Sequence, residues 1–102
     1  MTLKQKNQRI SKHDRYIHEL GGRIKHRYDF LIYNVPISTQ KRSLGEIDII
    51  GRRGDTYDLY EVKCSHRIIK AKKQLKRAKR FLNMGNIRSY FYCGSSKKLV
   101  SV

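Results

Sequence analysis

Residues 45–63, GEIDIIGRRGDTYDLYEVK, constrain the fold more than any other stretch of this chain. Apolar residues crowd two short runs, Glu46 to Ile50 and Tyr57 to Cys64, and GRRGD from Gly51 to Asp55 supplies the glycines of a compact turn between them. Two such runs joined so closely predict an antiparallel β-hairpin. The same segment poses a chemical question. The chain has 24 Lys and Arg against only 8 Asp and Glu, yet five of the eight fall in this segment, three of them, Glu46, Asp48 and Glu61, in G-E-x-D and E-x-K.

Around the hairpin the hydrophobic period sets the other elements. Ile10, Ile17 and Leu20 recur at helical spacing, which predicts a first helix from Lys6 to Leu20 stopped by Gly21-Gly22. From Ile24 to Ile32 the period becomes two, the mark of a half-exposed strand. Asn34 to Leu44 holds the only proline, Pro36, among Ser, Thr, Lys and Arg, and reads as a loop. After the hairpin, Ile68, Ala71, Leu75, Ala78 and Leu82 mark one face of a second helix ending near Met84-Gly85. Ser89 to Cys93 reads as a buried strand, and Leu99 to Val102 adds at most a frayed one. The predicted order is α-β-β-β-α-β, an α/β fold with a mixed sheet flanked by helices. The strand–helix–strand unit from Tyr57 to Cys93 makes its two strands parallel. Residues 1–102 read as one domain with a modest core.

A formal charge of +16 on 102 residues implies an anionic partner, and nucleic acid is the leading one. A ribosomal or chromatin-like binder is the plainer form of that reading. The chain has no Trp and no long amphipathic helix with apolar residues opposite the charges, which argues against a membrane-surface protein. No run of ~18 apolar residues is present, so no span is expected. The stretch MTLKQKNQRISKHD lacks the apolar core of a signal peptide, so the expected location is intracellular, in the cytoplasm near the nucleoid. Cys64 and Cys93 are too far apart for a zinc site and read as reduced core residues.

Strand geometry answers the question of the acids. Residues two apart share a face, so Glu46 pairs with Asp48 and Glu61 with Lys63. Once the hairpin forms, Asp48 and Glu61 converge with the Lys63 ammonium beside them. Converging carboxylates repel unless a proton or cation lies between them, and hard oxygen donors suit Mg²⁺ or Mn²⁺. The positive charge elsewhere then carries a phosphate backbone to that ion for hydrolysis. The alternative is an ordinary cross-strand salt bridge, worth ~0–1 kcal/mol if exposed.

The D-x(12)-E-x-K spacing in a small α/β chain resembles the PD-(D/E)xK nuclease superfamily. GEIDIIGRRGDTYDLYEVK is similar in particular to the YraN-like pattern G-E-x-D-L-I-x-x-x-G-x-x-x-x-x-E-V-K, and archaeal Holliday junction resolvases share the same step from acid to acid. The resemblance runs from about Ser11 to Cys93 and implies a restriction-endonuclease-like core. It implies Asp48 and Glu61 as metal ligands, the Val62 carbonyl as a further one, and Lys63 as the group that positions water and stabilises charge on the phosphate. Gly-Glu stands where the superfamily has Pro before its first Asp, as the YraN-like variant does. Resolvases carry a Glu on the first helix where this chain reads Ser11-Lys12-His13. RecB-type nucleases use a helix His there, so the resemblance implies His13 as a ligand, with a solvent-facing histidine as the alternative. Asp14 and Glu19 are displaced from that position. Glu46 is the other group available to complete the shell, or else lies outside it. RecB-type proteins also carry a Gln on the helix after E-x-K, which points to Gln74 as a catalytic residue or else a helix-face Gln without a role. The implied activity is a Mg²⁺-dependent DNA endonuclease, Holliday junction resolvase-like. A RecB-type exonuclease and a nucleic-acid-binding module without cleavage are the alternatives. Resolving a junction takes two symmetric cuts, so a homodimer is expected.

Lys70, Lys72, Lys73, Lys76, Arg77, Lys79 and Arg80 make the second helix solidly basic on one side. Like charges at i, i+4 destabilise a helix, so phosphate contact is the expected use of this face. Arg52 and Arg53 in the hairpin turn, with Lys41 and Arg42, extend it. Asp29, Asp55 and Asp58 read as solubilising. Tyr57, Tyr60, Tyr90 and Tyr92 read as core residues, or as platforms for unpaired bases.

Overall fold

The computed structural model describes residues 10–83 and 85–102. Ser11 caps the first helix, α1 (Lys12–Ile24), its hydroxyl accepting from the Asp14 N–H at 3.0 Å. A 3₁₀ turn, Lys25–Arg27, leads into strands β1 (Phe30–Ser38), β2 (Ser43–Arg53) and β3 (Thr56–Lys63). Helix α2 (Ile68–Leu82) ends on Asn83, which takes the left-handed conformation (φ 48°, ψ 43°) that asparagine accepts at a helix end. Strands β4 (Ile87–Cys93) and β5 (Lys98–Ser101) follow. One five-stranded mixed sheet results, in the order β1-β2-β3-β4-β5, and only β3 and β4 run parallel.

Alternation along the central strands sends their side chains to two layers. Tyr60 and Val62 of β3 and Tyr92 of β4 pack with Ile49 against Ile17, Leu20 and Ile24 of α1. Leu59 of β3 packs with Ile47 and Ile50 against Leu75 and Ala78 of α2, and Phe91 and Cys93 meet Ala71 on the same side. Neighbours such as Phe91 and Tyr92 are thus both fully buried, in opposite layers. Among the described residues no helix is long and apolar enough to cross a membrane.

The hairpin, the parallel β3–β4 pair and α2 match the sequence reading, but the element order does not. Lys98–Ser101 is a fifth strand, paired antiparallel with β4, and the chain end is fastened by the Val102 N–H on Ser89 O (3.0 Å) and the Ser89 hydroxyl on Val102 O (2.8 Å). Four residues are too few to show an alternating pattern in sequence. Gly21-Gly22 does not end α1. The Tyr33 ring lies so close to Gly21 that a Cβ there would collide with it, so this glycine serves close packing inside the helix. The predicted start of α1 at Lys6 to Arg9 and the predicted α2 end at Met84 lie outside the described residues. Ile24 to Arg27 is accordingly helix and 3₁₀ turn, and the first strand lies further on, through most of the predicted Asn34–Leu44 loop. Asn34 adopts a positive φ of 51° within β1, and Pro36 is tolerated because β1 is an edge strand. Both strands of the hairpin extend further into its turn than expected, leaving only Gly54 and Asp55 between them.

Candidate active site

Paired residues of β2 and β3 run from Arg53↔Thr56 to Ile49↔Tyr60. One residue further along β2, a side chain takes over: Asp48 Oδ2 accepts the Val62 N–H at 2.8 Å. Strand β3 stays paired on its other side, with β4, out to Lys63↔Cys93. The end of β3 is thus held firmly while its β2 edge carries a carboxylate in place of a carbonyl. Helix α1 brings His13 to the same point. The Nε2–H of His13 donates to the Val62 carbonyl at 2.8 Å, and Nε2 lies 3.4 Å from Asp48 Oδ2. Lys63 Nζ stands 3.1 Å from Glu61 Oε2. Asp48, Glu61, Val62, Lys63 and His13 therefore gather at one end of β3, as the hairpin argument requires.

Both acids are deeply buried, Asp48 at 3% exposure and Glu61 at 4%. Burial pushes the Glu61 carboxyl up to about 7, the negative charge of Asp48 adds to that rise, and Lys63 opposes it. Burial also raises Asp48, opposed by the Val62 N–H and by the neighbouring His13 and Lys63. Two buried carboxylates with one adjacent ammonium and a neighbouring imidazole form a site whose negative charge is compensated only in part, an arrangement a divalent cation would relieve. Both carboxylates and the Val62 carbonyl are hard oxygen donors, which fits Mg²⁺ or Mn²⁺. Among the described residues no three His, Cys, Asp or Glu side chains converge closely enough to hold an ion by themselves, so an ion here would need further oxygens from water or substrate. The His13 Nε2–H is committed to the Val62 carbonyl and that nitrogen serves a cation only by releasing the bond, whereas the carbonyl oxygen keeps a second lone pair.

The remaining predicted site residues divide. Glu46 is exposed, faces Pro36 across the β1–β2 pairing, and among the described residues makes no hydrogen bond or ion pair with the cluster. Gln74 is half-buried, and its Oε1 is fully enclosed without a hydrogen-bond partner among the described residues. It borders a groove of about 660 Å³ with Arg67, Ile68, Lys70 and Lys73. Lys70, Lys72, Lys73, Lys76, Arg77 and Arg80 are exposed and Lys79 half-buried; among the described residues none of the seven is in an ion pair. Arg77 donates to the Leu44 carbonyl at 3.3 Å. Arg53 is exposed, whereas Arg52 is held over the Phe30 and Tyr57 rings, its Nε donating to Gly54 O at 2.8 Å.

Two of the acids read as solubilising have other roles. Asp29 Oδ2 accepts the Gly54 N–H at 2.9 Å and fastens the hairpin turn to the start of β1. Asp58 is 2% exposed. Arg88 grips it with two N–H groups at 2.8 and 2.9 Å, and the Tyr28 hydroxyl, itself hydrogen-bonded to Tyr60, donates to it. The only local signal was one Asp inside the otherwise apolar run Tyr57–Tyr60, because its partners come from 30 residues before and after it. Tyr60 and Tyr92 are buried in the core, and Tyr90 stacks on Tyr60 at 5.0 Å. No protein-family model matches the sequence, and no curated protein matches it.

Proposed function

We propose that this chain is a divalent-cation-dependent deoxyribonuclease of the PD-(D/E)xK type, with a restriction-endonuclease-like core, that hydrolyses phosphodiester bonds in branched DNA. The observation that carries this reading is the buried Asp48–Glu61 pair with Lys63 at 3.1 Å from Glu61. Asp48 and Glu61 would hold Mg²⁺ or Mn²⁺, which would supply Lewis-acid polarisation of the phosphodiester. Asp48 and Glu61 hold the charge that recruits it, and the Val62 N–H fixes the Asp48 carboxylate in place. Lys63, anchored on Glu61, offers an ammonium to the charge that develops on the phosphate. Gln74, whose enclosed acceptor is unpartnered among the described residues, is the further residue of this reading, its Oε1 available to a water or amine.

The exposed cations of α2 hold the DNA backbone, and a two-fold dimer, supported by the exposed Phe30 and Ile32 on edge strand β1, places two sites for paired cuts. Replacing Lys72, Lys73, Lys76 and Lys79 with Gln is expected to flatten the slope of log K against log salt by about 3 to 4 for every DNA alike. His13 beside Asp48 favours one second reading, a RecB-type exonuclease acting on ends. Labelled linear, flapped and four-way-junction DNAs incubated with Mg²⁺ separate the readings. Paired symmetric nicks in the junction support the proposal, digestion from ends supports the second reading, and no cleavage of any substrate with Mg²⁺ or Mn²⁺ overturns both in favour of a binding module.

A further inference from the structure

A cavity of about 250 Å³ lies around the Asp58–Arg88 pair, lined also by Arg27, Arg53 and Tyr90. We propose that this cavity is a binding site for a phosphate monoester or free phosphate, separate from the acid cluster. Both oxygens of Asp58 are occupied, by Arg88 and by Tyr28, so the carboxylate neutralises Arg88 and has little left to offer an incoming group. What remains on the walls is one-sided. The guanidiniums of Arg27 and Arg53 and the hydroxyl of Tyr90 have no hydrogen-bond partner among the described residues. Three arginines against one aspartate leave a formal charge of +2 around the opening.

Guanidinium forks bind phosphate oxygens in pairs, and a phosphate monoester carries about −1.5 to −2 at pH 7, which matches that charge. An internal phosphodiester has chain on both sides, whereas a monoester enters a recessed site with one tail. The location excludes the scissile phosphate as the occupant. Asp58 shares its strand face with Tyr60 and Val62 on the α1 side, and Glu61 shares its face with Leu59 on the α2 side. Three residues of strand add about 10 Å of separation along β3.

The test is calorimetric titration of the full chain with inorganic phosphate at fixed ionic strength in EDTA, so that it is independent of any cation or cleavage. The wild type is expected to bind one phosphate saturably. Arg27→Gln/Arg53→Gln is expected to weaken binding at least tenfold. Arg15→Gln/Lys98→Gln, which removes the same charge from exposed positions elsewhere, is expected to change it less than twofold. No saturable binding by the wild type, or equal weakening in the two double variants, overturns the site. Competition then identifies the source. Displacement by a 5′-phosphorylated oligonucleotide but not its 5′-hydroxyl counterpart assigns the site to a nucleic-acid terminus, and displacement by neither assigns it to free phosphate.

Discussion

Strand β3 carries two buried carboxylates three residues apart, on opposite faces of the sheet, and their surroundings differ in kind. Asp58 has a guanidinium gripping both oxygens and a tyrosine hydroxyl besides. Glu61, equally buried, has one ammonium at 3.1 Å and the like charge of Asp48 close by. Burial by itself therefore does not mark a working acid. Asp58 is compensated within the protein and ties β3 to β4 and to the chain after α1. Glu61 and Asp48 are compensated only in part, and the shortfall is what a cation would fill.

The sharpest way to break this contrast is chemical. Asp48→Asn, Glu61→Gln and Lys63→Ala are each expected to slow single-turnover cleavage by about 10³-fold, or about 4 kcal/mol of barrier, with DNA binding retained. Asp58→Ala, assayed where it is folded, should cut at a rate within a few-fold of wild type. Wild-type cleavage by any of the first three variants would remove the functional half of the comparison.

Stability should show the reverse order. Asp58→Ala removes the acceptor of the Tyr28 hydroxyl and the partner of Arg88 and is expected to lose about 3 kcal/mol, lowering Tm by about 12–24 °C in a scanning experiment. Glu61→Gln should lose nothing at pH 8 and gain stability, since it removes a charge held in a buried site.

The pH dependence sharpens the same point. The Glu61 carboxyl titrates near 7 in the folded protein against 4.5 ordinarily, so between those values the folded state holds a proton that the unfolded chain has released. The contribution to stability is complete below 4.5 and is lost as pH rises through 7. Asp48, also raised, acts in the same direction. Relative to Glu61→Gln, the cation-free wild type is expected to lose about 2.5 kcal/mol between pH 5 and pH 8 in urea unfolding. Saturating Mg²⁺ should erase that loss at pH 8. A wild type that tracks the variant across the range would show that Glu61 is already compensated.

The smallest expected effect belongs to His13, which meets the cluster through the Val62 carbonyl and the edge of Asp48. His13→Ala should slow cleavage about tenfold at saturating Mg²⁺, the size of a positioning role. A 10³-fold loss would instead make it as essential as the acids.

The legible parts of this fold are those carried by local pattern. Two short apolar runs joined by GRRGD gave the hairpin, the 3.6-residue spacing gave α2, and alternation along the hairpin strands brought Asp48, Glu61 and Lys63 together from sequence alone, whereas the period-two run from Ile24 misplaced the first strand. The misread parts depend on distant partners. Gly21 looks like a helix stop until Tyr33 is seen packed against it. Asn34 and Pro36 look like a loop until β1 proves to be an edge, where neither breaks the sheet. Asp58 looks like a surface acid because Tyr28 and Arg88, each 30 residues away, cover it only in the folded chain. Glu46 shows the converse, since strict alternation would place it beside Asp48, yet Ile47 packs with Ile50 in the α2 layer and Ile49 in the α1 layer, and Glu46 is exposed outside the cluster.

The most direct measurement is titration of the metal-free protein with Mn²⁺ by calorimetry, repeated on Asp48→Asn, Glu61→Gln and Asp58→Ala. The account predicts saturable binding by the wild type, loss of that binding in the first two variants, and no change in Asp58→Ala. Absence of saturable binding by the wild type, or binding that survives both Asp48→Asn and Glu61→Gln, would contradict it.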